Sequence, residues 1–252
     1  MHRLVAIAPL ERPGVSLAHE TVGRNRLLGA LQPDDLSLVH EHLQDCYLDK
    51  GKVLQDPEEP IENVYFPHGG MISMLVVLPE GQMVETMTMG REGAIGLSRG
   101  IGSRAAVGRA IVQLPGPAAR IPAARWAELA QQSQALRNLI VRYNDVQLAQ
   151  IQQSVACHAL HGVEARLCRW LLEARDRMGS DTLPLTQEFL ADTLGVRRTT
   201  VTIVARMLQS AGLVHYRRGI IQLRDVAALE SAACDCYHVA RGLTDRFLAA
   251  PS

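Results

Sequence analysis

The middle of the chain carries a β-strand pattern, and the segments on either side of it carry helical patterns. Between Cys46 and Ile121, short apolar runs rich in β-branched residues alternate with Gly and Pro, which predicts a many-stranded β unit. The clearest predicted strands are Asn63 to Pro67, Met71 to Leu78, Met83 to Met89 and Arg109 to Leu114. Upstream, Asn25 opens one short helical pattern and Pro33 opens a second, so two small helices precede the β unit.

A long helix is predicted after the β unit. No proline occurs between Pro122 and Pro184, and this stretch is rich in the helix formers Ala, Leu, Gln and Arg. From Leu136 to Val155, apolar residues recur every three or four positions over roughly 30 Å of helix. A stripe of this length favours pairing with a second copy of the chain; the alternative is packing on its own β unit alone. The residues predicted to form the dimer interface are Leu136, Leu139, Ile140, Tyr143, Val146, Gln147 and Ile151.

Two further helices, joined by a tight turn, are predicted in the last third of the chain. Gly162 marks a hinge after the long helix, because glycine costs about 1 kcal/mol relative to alanine inside a helix. The helix Val163 to Met178 follows. Thr186 then caps a short helix that ends at Leu194, and Gly195 makes the turn into the next helix. This arrangement is typical of a helix-turn-helix.

The second helix of this pair begins with Arg and Thr, which suits the N-terminal turn of a recognition helix in the DNA major groove. After it, Gly212 to Leu223 predicts a two-stranded hairpin, a wing, with Arg217 and Arg218 at its tip. Arginines at a wing tip are expected to contact phosphate; a solvated hairpin tip is the alternative. The predicted DNA-contacting residues are Thr186, Gln187, Arg197, Arg198, Thr199, Thr200, Thr202, Arg206, Arg217 and Arg218.

The formal net charge of zero conceals an uneven distribution. Residues 162–224 contain ten arginines and six acidic residues, a net charge of +4, and the remainder of the chain carries −4. A basic module on an acidic body is typical of a regulator with a nucleic-acid-binding end, although a four-charge excess also occurs on a solvated face.

Composition excludes several other classes of protein. A hydrophobic content of 47% and a charged content of 21% are those of a globular chain. The apolar run Met71 to Leu78 is too short to cross a bilayer, and Glu11, Arg12 and Pro13 interrupt the apolar start that a signal peptide needs. Five cysteines at irregular spacing make no disulfide framework. We therefore expect a cytoplasmic protein without a membrane partner.

Several motifs together resemble the Crp/Fnr family of bacterial transcription regulators. They are NRLLGAL, VYFPHGGMIS, GREGAIGL, CHALHGVEARLCRWLL and LTQEFLADTLGVRRTTVTIVARMLQSAGLVHYRRGIIQL, and the resemblance covers about residues 24 to 240. It implies a cyclic-nucleotide-binding-type β-roll, a homodimer formed through the long helix, and binding to double-stranded DNA. The operator would be two-fold symmetric, with half-sites about one helical turn apart. RNA polymerase is a further candidate partner.

The predicted fold class is therefore α+β, with an N-terminal antiparallel β-roll, a long dimerisation helix and a C-terminal winged helix-turn-helix. The predicted domains are an N-terminal tail at 1–23, the β-roll at 24–132, the dimerisation helix at 133–161, the winged helix-turn-helix at 162–224 and a C-terminal helical extension at 225–252.

The chain departs from the cyclic-AMP-binding members of the family. Those members carry a Gly-Glu pair for the ribose and an Arg-Ser or Arg-Thr pair for the phosphate. Here Leu97 stands where the glutamate would fall, and the pair Arg104-Ala105 lacks the hydroxyl. Losing both polar contacts would cost several kcal/mol, so we expect no cyclic AMP binding. The predicted effector pocket comprises Gly96, Leu97, Arg104 and Ala105, with an unknown small-molecule effector.

Two further departures concern the cofactor and the operator. The iron–sulfur members carry an N-terminal cysteine cluster, whereas this chain has no cysteine before Cys46. The family's Glu-x-x-x-Arg set in the recognition helix would fall at Thr199 and Ile203, and the preceding arginine is retained as Arg198. We expect no such cluster and an operator that differs from the family's best-known ones.

Cysteine and histidine residues also recur near the hinge and after the wing. They are Cys157, His158, His161, Cys234, Cys236 and His238. Such ligands suit zinc or a redox switch, but a C-x-C pair lacks the spacing of a strong zinc motif. The favoured interpretation is buried thiols that pack a C-terminal helix, with no metal and no cofactor. The serines have no adjacent His and Asp pattern, so we predict no enzyme activity.

The sequence thus predicts a sequence-specific transcription regulator whose β-roll responds to an unidentified signal other than cyclic AMP. The alternative is a β-roll module that docks a protein partner, with secondary DNA contact. Arg197, Arg198 and the wing favour the regulator.

Overall fold

The computed structural model describes residues 25–81 and 83–249. The predicted tail at 1–23 lies outside these residues. The described chain begins with a 3-10 turn, Leu28–Ala30, and a first helix, α1, Pro33–His40. Pro33 stands in the first turn of α1, where its missing N–H leaves no hydrogen bond unmade.

Seven strands of the described chain form the β-roll. They pair antiparallel in two sheets, ordered β1-β7-β3 and β2-β6-β4-β5. A second 3-10 turn, Leu97–Ile101, lies between β5 and β6. The strands are β1 Gln44–Leu48, β2 Val53–Gln55, β3 Asn63–Pro67, β4 Met71–Val77, β5 Met83–Met89, β6 Arg109–Leu114 and β7 Gly116–Pro122.

Two helices, α2 at Ala123–Gln132 and α3 at Gln134–Leu160, follow the β-roll. Ser133 separates them and caps α3, because its Oγ accepts from the backbone N–H of Leu136 at 3.1 Å. The α+β fold class, with antiparallel N-terminal sheets and a long helix, is confirmed. None of the described helices is long and apolar enough to span a membrane.

Four of the seven residues predicted for the dimer interface on α3 are buried inside the protomer. Leu136, Leu139 and Ile140 are at most 2% exposed and belong to the same core as Trp126. Side chains that their own protomer covers are not available to a second copy. For these residues the structure supports the alternative, packing on the chain's own β unit.

The remaining predicted interface residues are also engaged within the protomer. The hydroxyl of Tyr143 accepts from the backbone N–H of Ala94 at 3.2 Å, and Gln147 hydrogen-bonds to Tyr143. Val146 and Ile151 are partly buried against the apolar cores of the β-roll.

A different face of α3 is left open. Val141, Leu148 and Val155 are 49%, 55% and 63% exposed, and they lie seven residues apart. A seven-residue repeat of exposed aliphatic side chains is the pattern of one position in a coiled-coil seam. We call these three residues the α3 seam.

The C-terminal unit combines a helix-turn-helix with a small sheet of order β8-β10-β9. Its core includes Trp170, Leu190, Val201, Leu208 and Ile221. The elements are α4 Val163–Met178, β8 Thr182–Leu183, α5 Gln187–Leu194, α6 Arg198–Ser210, β9 Val214–Arg217, β10 Ile220–Leu223, α7 Val226–Ala232 and α8 Cys236–Ala249.

The last helix, α8, packs along α3. The rings of Tyr143 and Phe247 lie 5.8 Å apart, and the amide of Gln150 donates to Thr244 Oγ1 at 2.9 Å. Because the β-roll and α8 cover two faces of α3, the α3 seam is the long apolar strip that stays in contact with solvent.

A buried polar network joins the β-roll to the C-terminal unit. Glu85 of β5 accepts a hydrogen bond from Ser73 on β4 and another from the indole N–H of Trp170 on α4, the latter at 2.9 Å. Beside it, Arg169 donates to Glu173 at 2.7 Å. Burial raises the pKa of Glu85 to about 7. Burial also acts to raise the pKa of Glu173, but attraction to the neighbouring arginines outweighs it, so the pKa of that carboxyl is lowered.

Candidate nucleic-acid interface

The first helix of the helix-turn-helix begins and ends where local chemistry dictates. Thr186 caps α5, because its Oγ1 accepts from the backbone N–H of Phe189 at 3.2 Å. Gly195 ends α5 with φ of 62°, a left-handed conformation that glycine adopts without a Cβ clash. These predicted cap and turn positions are confirmed, and the chain is thereby turned into α6.

The second helix of the pair, α6, is amphipathic. Val201, Val204 and Leu208 are buried in the core of the unit, as predicted. Arg198 and Thr199 are exposed in its first turn. Ile203 and Met207 are also outward, at 59% and 50% exposure, and the sequence analysis did not include them among the contacting residues. Apolar groups on this face can contact thymine methyl groups.

Two hydrogen bonds fix the helix pair: one joins α6 to α5, and the other joins α5 to α4. The hydroxyl of Thr202 donates to Gln187 Oε1 on α5 at 2.7 Å. From α4, Arg166 donates to the carbonyl oxygen of Leu194, the last residue of α5, at 3.0 Å. Arg166 therefore positions the helix pair, a role that the sequence analysis did not assign because the contact spans distant residues.

The wing is a hairpin with a two-residue loop. Ile220 pairs with Arg217, which leaves Arg218 and Gly219 as the loop, with φ of 48° and 78°. Two successive positive φ values are those of a type I′ turn, whose first position favours Asn or Gly. Arginine there is strained by about 1 kcal/mol or more.

The wing tip lies beside the start of α5. A Cβ placed on Gly219 would lie 3.7 Å from Thr186 Cγ2. The start of α5, the first turn of α6 and the wing tip therefore form one face, which we call the reading surface. Of the predicted residues, Thr186, Gln187, Arg197, Arg198, Thr199, Thr202, Arg217 and Arg218 lie on these elements, whereas Thr200 is half-buried and Arg206 lies exposed two turns along α6.

The arginines of the predicted basic segment divide into two groups. Arg166 and Arg169 are buried, Arg177 pairs with Glu92 at 2.8 Å, and Arg175 pairs with Asp181 at 2.6 Å. The exposed group is Arg197, Arg198, Arg206, Arg217, Arg218 and Arg224. Within residues 162–224, the positive charge available to an external anion is therefore mostly at the start of α6, along α6 and on the wing.

The four residues of the predicted effector pocket differ in their exposure to solvent. Leu97 is 3% exposed in the core of the β-roll, and its carbonyl oxygen accepts from the indole N–H of Trp126 at 3.0 Å. A Cβ on Gly96 would meet the carbonyl oxygen of Asn63 at 2.7 Å. Arg104 and Ala105 are exposed instead.

A polar cavity of about 400 Å³ lies elsewhere, between the β-roll, α4 and α8. Its lining includes Arg91, Glu92, Asp176, Arg177, Tyr237 and Arg241.

Comparison with known proteins gives the same organisation. Residues 165–232 match the Crp-like helix-turn-helix domain. The fold is similar to that of FixK2 from Bradyrhizobium japonicum, with a TM-score of 0.65, 16% identity, and coverage of 76% of this chain and 98% of that chain.

Two further solved structures have a similar fold. One is CLP, a c-di-GMP responsive global regulator from Xanthomonas campestris, with a TM-score of 0.62, 17% identity, and coverage of 77% of this chain and 100% of that chain. The other is TTHA1359, a transcriptional regulator of the CRP/FNR family from Thermus thermophilus, with a TM-score of 0.61, 20% identity, and coverage of 75% of this chain and 98% of that chain. No curated protein sequence matches the chain.

Proposed function

We propose that this chain, in which a Crp-like helix-turn-helix domain stands within the fold of Crp/Fnr-type regulators, is a sequence-specific DNA-binding transcription regulator. The observation that carries the proposal is the reading surface, where exposed arginines of α6 and the wing share one face. Recognition helices enter the major groove by their N-terminal turns, and a wing contacts the backbone beside it.

The proposal includes a homodimer that binds a two-fold symmetric operator. Two recognition helices related by two-fold symmetry would enter successive major grooves about 10 base pairs apart. The α3 seam supports this part, because it is a heptad-spaced aliphatic strip that the protomer leaves open.

The signal sensed by the β-roll is proposed to be something other than cyclic AMP. The position that would hold the ribose-binding carboxylate is taken by Leu97, whose side chain is buried in the core. A buried leucine offers no hydrogen bond to a ribose hydroxyl.

Selection from a random duplex library, followed by footprinting of the enriched sequence, tests the function. We expect a two-fold symmetric footprint whose affinity falls steeply with salt. Enrichment of no sequence, with only weak salt-dependent binding to any duplex, would instead favour the protein-docking module with secondary DNA contact.

Arg198→Ala is expected to cost about 1 to 3 kcal/mol of binding free energy on the selected operator and to relax preference at one position per half-site. A bidentate contact from arginine to guanine is lost, and such a contact carries sequence information. Titrations on matched and singly substituted operators measure this effect. A uniform loss of affinity on all sequences would assign Arg198 to the backbone instead. Arg197, at the N-cap of α6, can reach either a base edge or the DNA backbone.

Arg218→Asn is expected to move stability and DNA affinity in opposite directions. Asparagine relieves the strain of the left-handed conformation at φ of 48°, so the free energy of unfolding should rise by about 1 kcal/mol. Loss of one phosphate contact should weaken binding to specific and non-specific DNA alike and reduce the slope of log affinity against log salt by about one.

The matched control is Arg217→Asn, which removes a neighbouring charge from a β9 position without positive φ. It should weaken DNA binding without the gain in stability. Denaturant unfolding together with salt titrations compares the two variants. If Arg218→Asn changed base preference instead of the salt slope, the wing would be a base-reading element.

A further inference from the structure

Three cysteines and one histidine from separate parts of the chain converge where α3 ends and α4 begins. Cys157 lies in the last turn of α3 and His161 follows that helix directly, whereas Cys234 and Cys236 flank the turn between α7 and α8. The sulfur and nitrogen atoms of these four side chains all lie within 4.8 Å of one another. Residues more than 70 positions apart in sequence thus form one cluster.

We propose that Cys157, His161, Cys234 and Cys236 form a four-coordinate zinc site. The three thiolates and the imidazole are the Cys₃His donor set of structural zinc sites. With Zn–S distances of about 2.3 Å and Zn–N distances of about 2.0 Å, a tetrahedral zinc ion holds its ligand atoms about 3.5 to 3.8 Å apart.

Two of the separations between ligand atoms are close to that geometry, and all of them are at most 4.8 Å. Cys157 Sγ lies 3.5 Å from Cys234 Sγ, and Cys236 Sγ lies 3.4 Å from His161 Nδ1. The three cysteines are 0%, 7% and 3% exposed in chain order, while His161 is partly exposed and leaves an entry path for the ion.

The surroundings of the cluster suit a metal–thiolate centre of net negative charge. Zn²⁺ with three thiolates and a neutral imidazole carries a charge of −1, and each thiol releases its proton to water on binding. Arg166 and Arg169 are buried and close enough to Cys157 to interact with it electrostatically. Among the described residues, neither arginine has a hydrogen-bond partner for its Nε atom. Because Arg169 is already paired with Glu173, the positive charge of Arg166 is the one that would balance the anionic centre.

The second layer around the ligands is also present. The amide nitrogen of Gln153 donates to Cys236 Sγ at 3.0 Å. Hydrogen bonds of this kind orient thiolate ligands and offset their charge. The favoured interpretation of the sequence, thiols that only pack a helix, does not account for a histidine nitrogen aimed at one of them.

A redox pair explains fewer of these observations. A disulfide between Cys157 and Cys234 would leave Cys236 and His161 without a role.

A zinc ion here would tie three segments together at the start of the DNA-binding unit: the end of α3, the linker into α4, and the C-terminal segment that carries α8. The established use of such closed four-ligand sites is to stabilise a fold. The proposed site goes beyond the DNA-binding function and does not depend on it.

Metal analysis of the full-length, tag-free protein tests the proposal. After incubation with Zn²⁺ under reducing conditions and removal of free metal, we expect about one zinc ion per chain. His161→Ala should weaken Zn²⁺ binding, measured by competition with a chromophoric chelator, by more than the roughly 10- to 100-fold that loss of an outer-layer partner costs. Because His161 is partly exposed, this variant should keep the fold even if Cys234→Ser does not.

Cys46→Ser and Cys168→Ala are the matched controls, since both remove a thiol outside the cluster and should retain one zinc ion per chain. Co²⁺ in place of Zn²⁺ should give the intense visible absorption of a tetrahedral thiolate site, and Cys236→Ser should reduce it. Three results would overturn the proposal: no bound zinc in the reduced protein, equal zinc affinity in His161→Ala, or a Cys157–Cys234 disulfide in protein purified without reductant and with no metal.

Discussion

Leu148→Glu is expected to convert the proposed dimer into a monomer while the protomer stays folded. Leu148 is the middle residue of the α3 seam, with Val141 and Val155 one heptad away on either side. In a parallel helix pair, each Leu148 would pack against its copy, so the substitution places two carboxylates together in an apolar contact. The dimer dissociation constant should rise at least about 100-fold, or about 3 kcal/mol.

Sedimentation over a range of concentrations measures this dissociation constant, and thermal unfolding shows that the protomer is intact. Ala156→Glu is the matched control, because it adds the same charge to an exposed position about 100° around the helix from Val155. Ile140→Glu should behave differently from both: Ile140 is 0% exposed, so a charge there should unfold the protomer. If the dimer dissociation constant of Leu148→Glu equalled that of the wild type, the α3 seam would not be the interface.

The difference between Ile140 and Leu148 shows what periodicity alone can predict. Both side chains belong to one long apolar stripe in the sequence, and the pattern correctly predicts a long helix. The periodicity does not show which neighbouring element covers each face of the helix. One face is covered in part by Phe247 of α8, more than 100 residues away, which packs on Tyr143. Contacts between residues so far apart in the sequence do not contribute to the periodic pattern of apolar residues.

The helix-turn-helix and wing could be predicted almost residue by residue because their determinants are local. The cap at Thr186, the left-handed glycine at Gly195 and the two-residue hairpin loop each depend on a few neighbouring residues. The β-roll was predicted less completely. Pro117 lies in β7, the middle strand of its sheet, although proline usually argues against a central strand.

The sites built from distant residues were the hardest to predict. The cysteine–histidine cluster combines two pairs of residues that are each ordinary in sequence, and only the packing of α8 on α3 brings them together. The predicted effector pocket has a different origin. It was transferred from a family motif, and at Leu97 the polar residue of that motif is replaced by part of the core.

Glu85→Gln is expected to stabilise the protein at and above neutral pH and to have little effect in mild acid. Glu85 is buried where the β-roll meets α4, and burial raises its pKa to about 7. It interacts with Ser73 from β4 and with four residues of α4, namely Trp170, Arg169, Glu173 and Arg177. Glutamine keeps the shape of the side chain and can accept from Trp170, but it carries no charge that must be buried.

The sign of the pH dependence follows from proton binding. Between the ordinary glutamate pKa of 4.5 and the folded value of about 7, the folded state holds a proton that the unfolded state has lost. The wild-type protein therefore loses stability as the pH rises through this window, and above it the loss is complete, at about 3 kcal/mol for a change of this size. The gain from Glu85→Gln should follow the same curve, near zero below the window and about 3 kcal/mol above it.

Denaturant unfolding of both proteins across this pH range measures the difference, which isolates Glu85 from every other titrating group. Glu80→Gln, at an exposed hairpin turn, should show no such curve. A gain that is equal at all pH values would mean that packing, and not the buried charge, separates the two proteins.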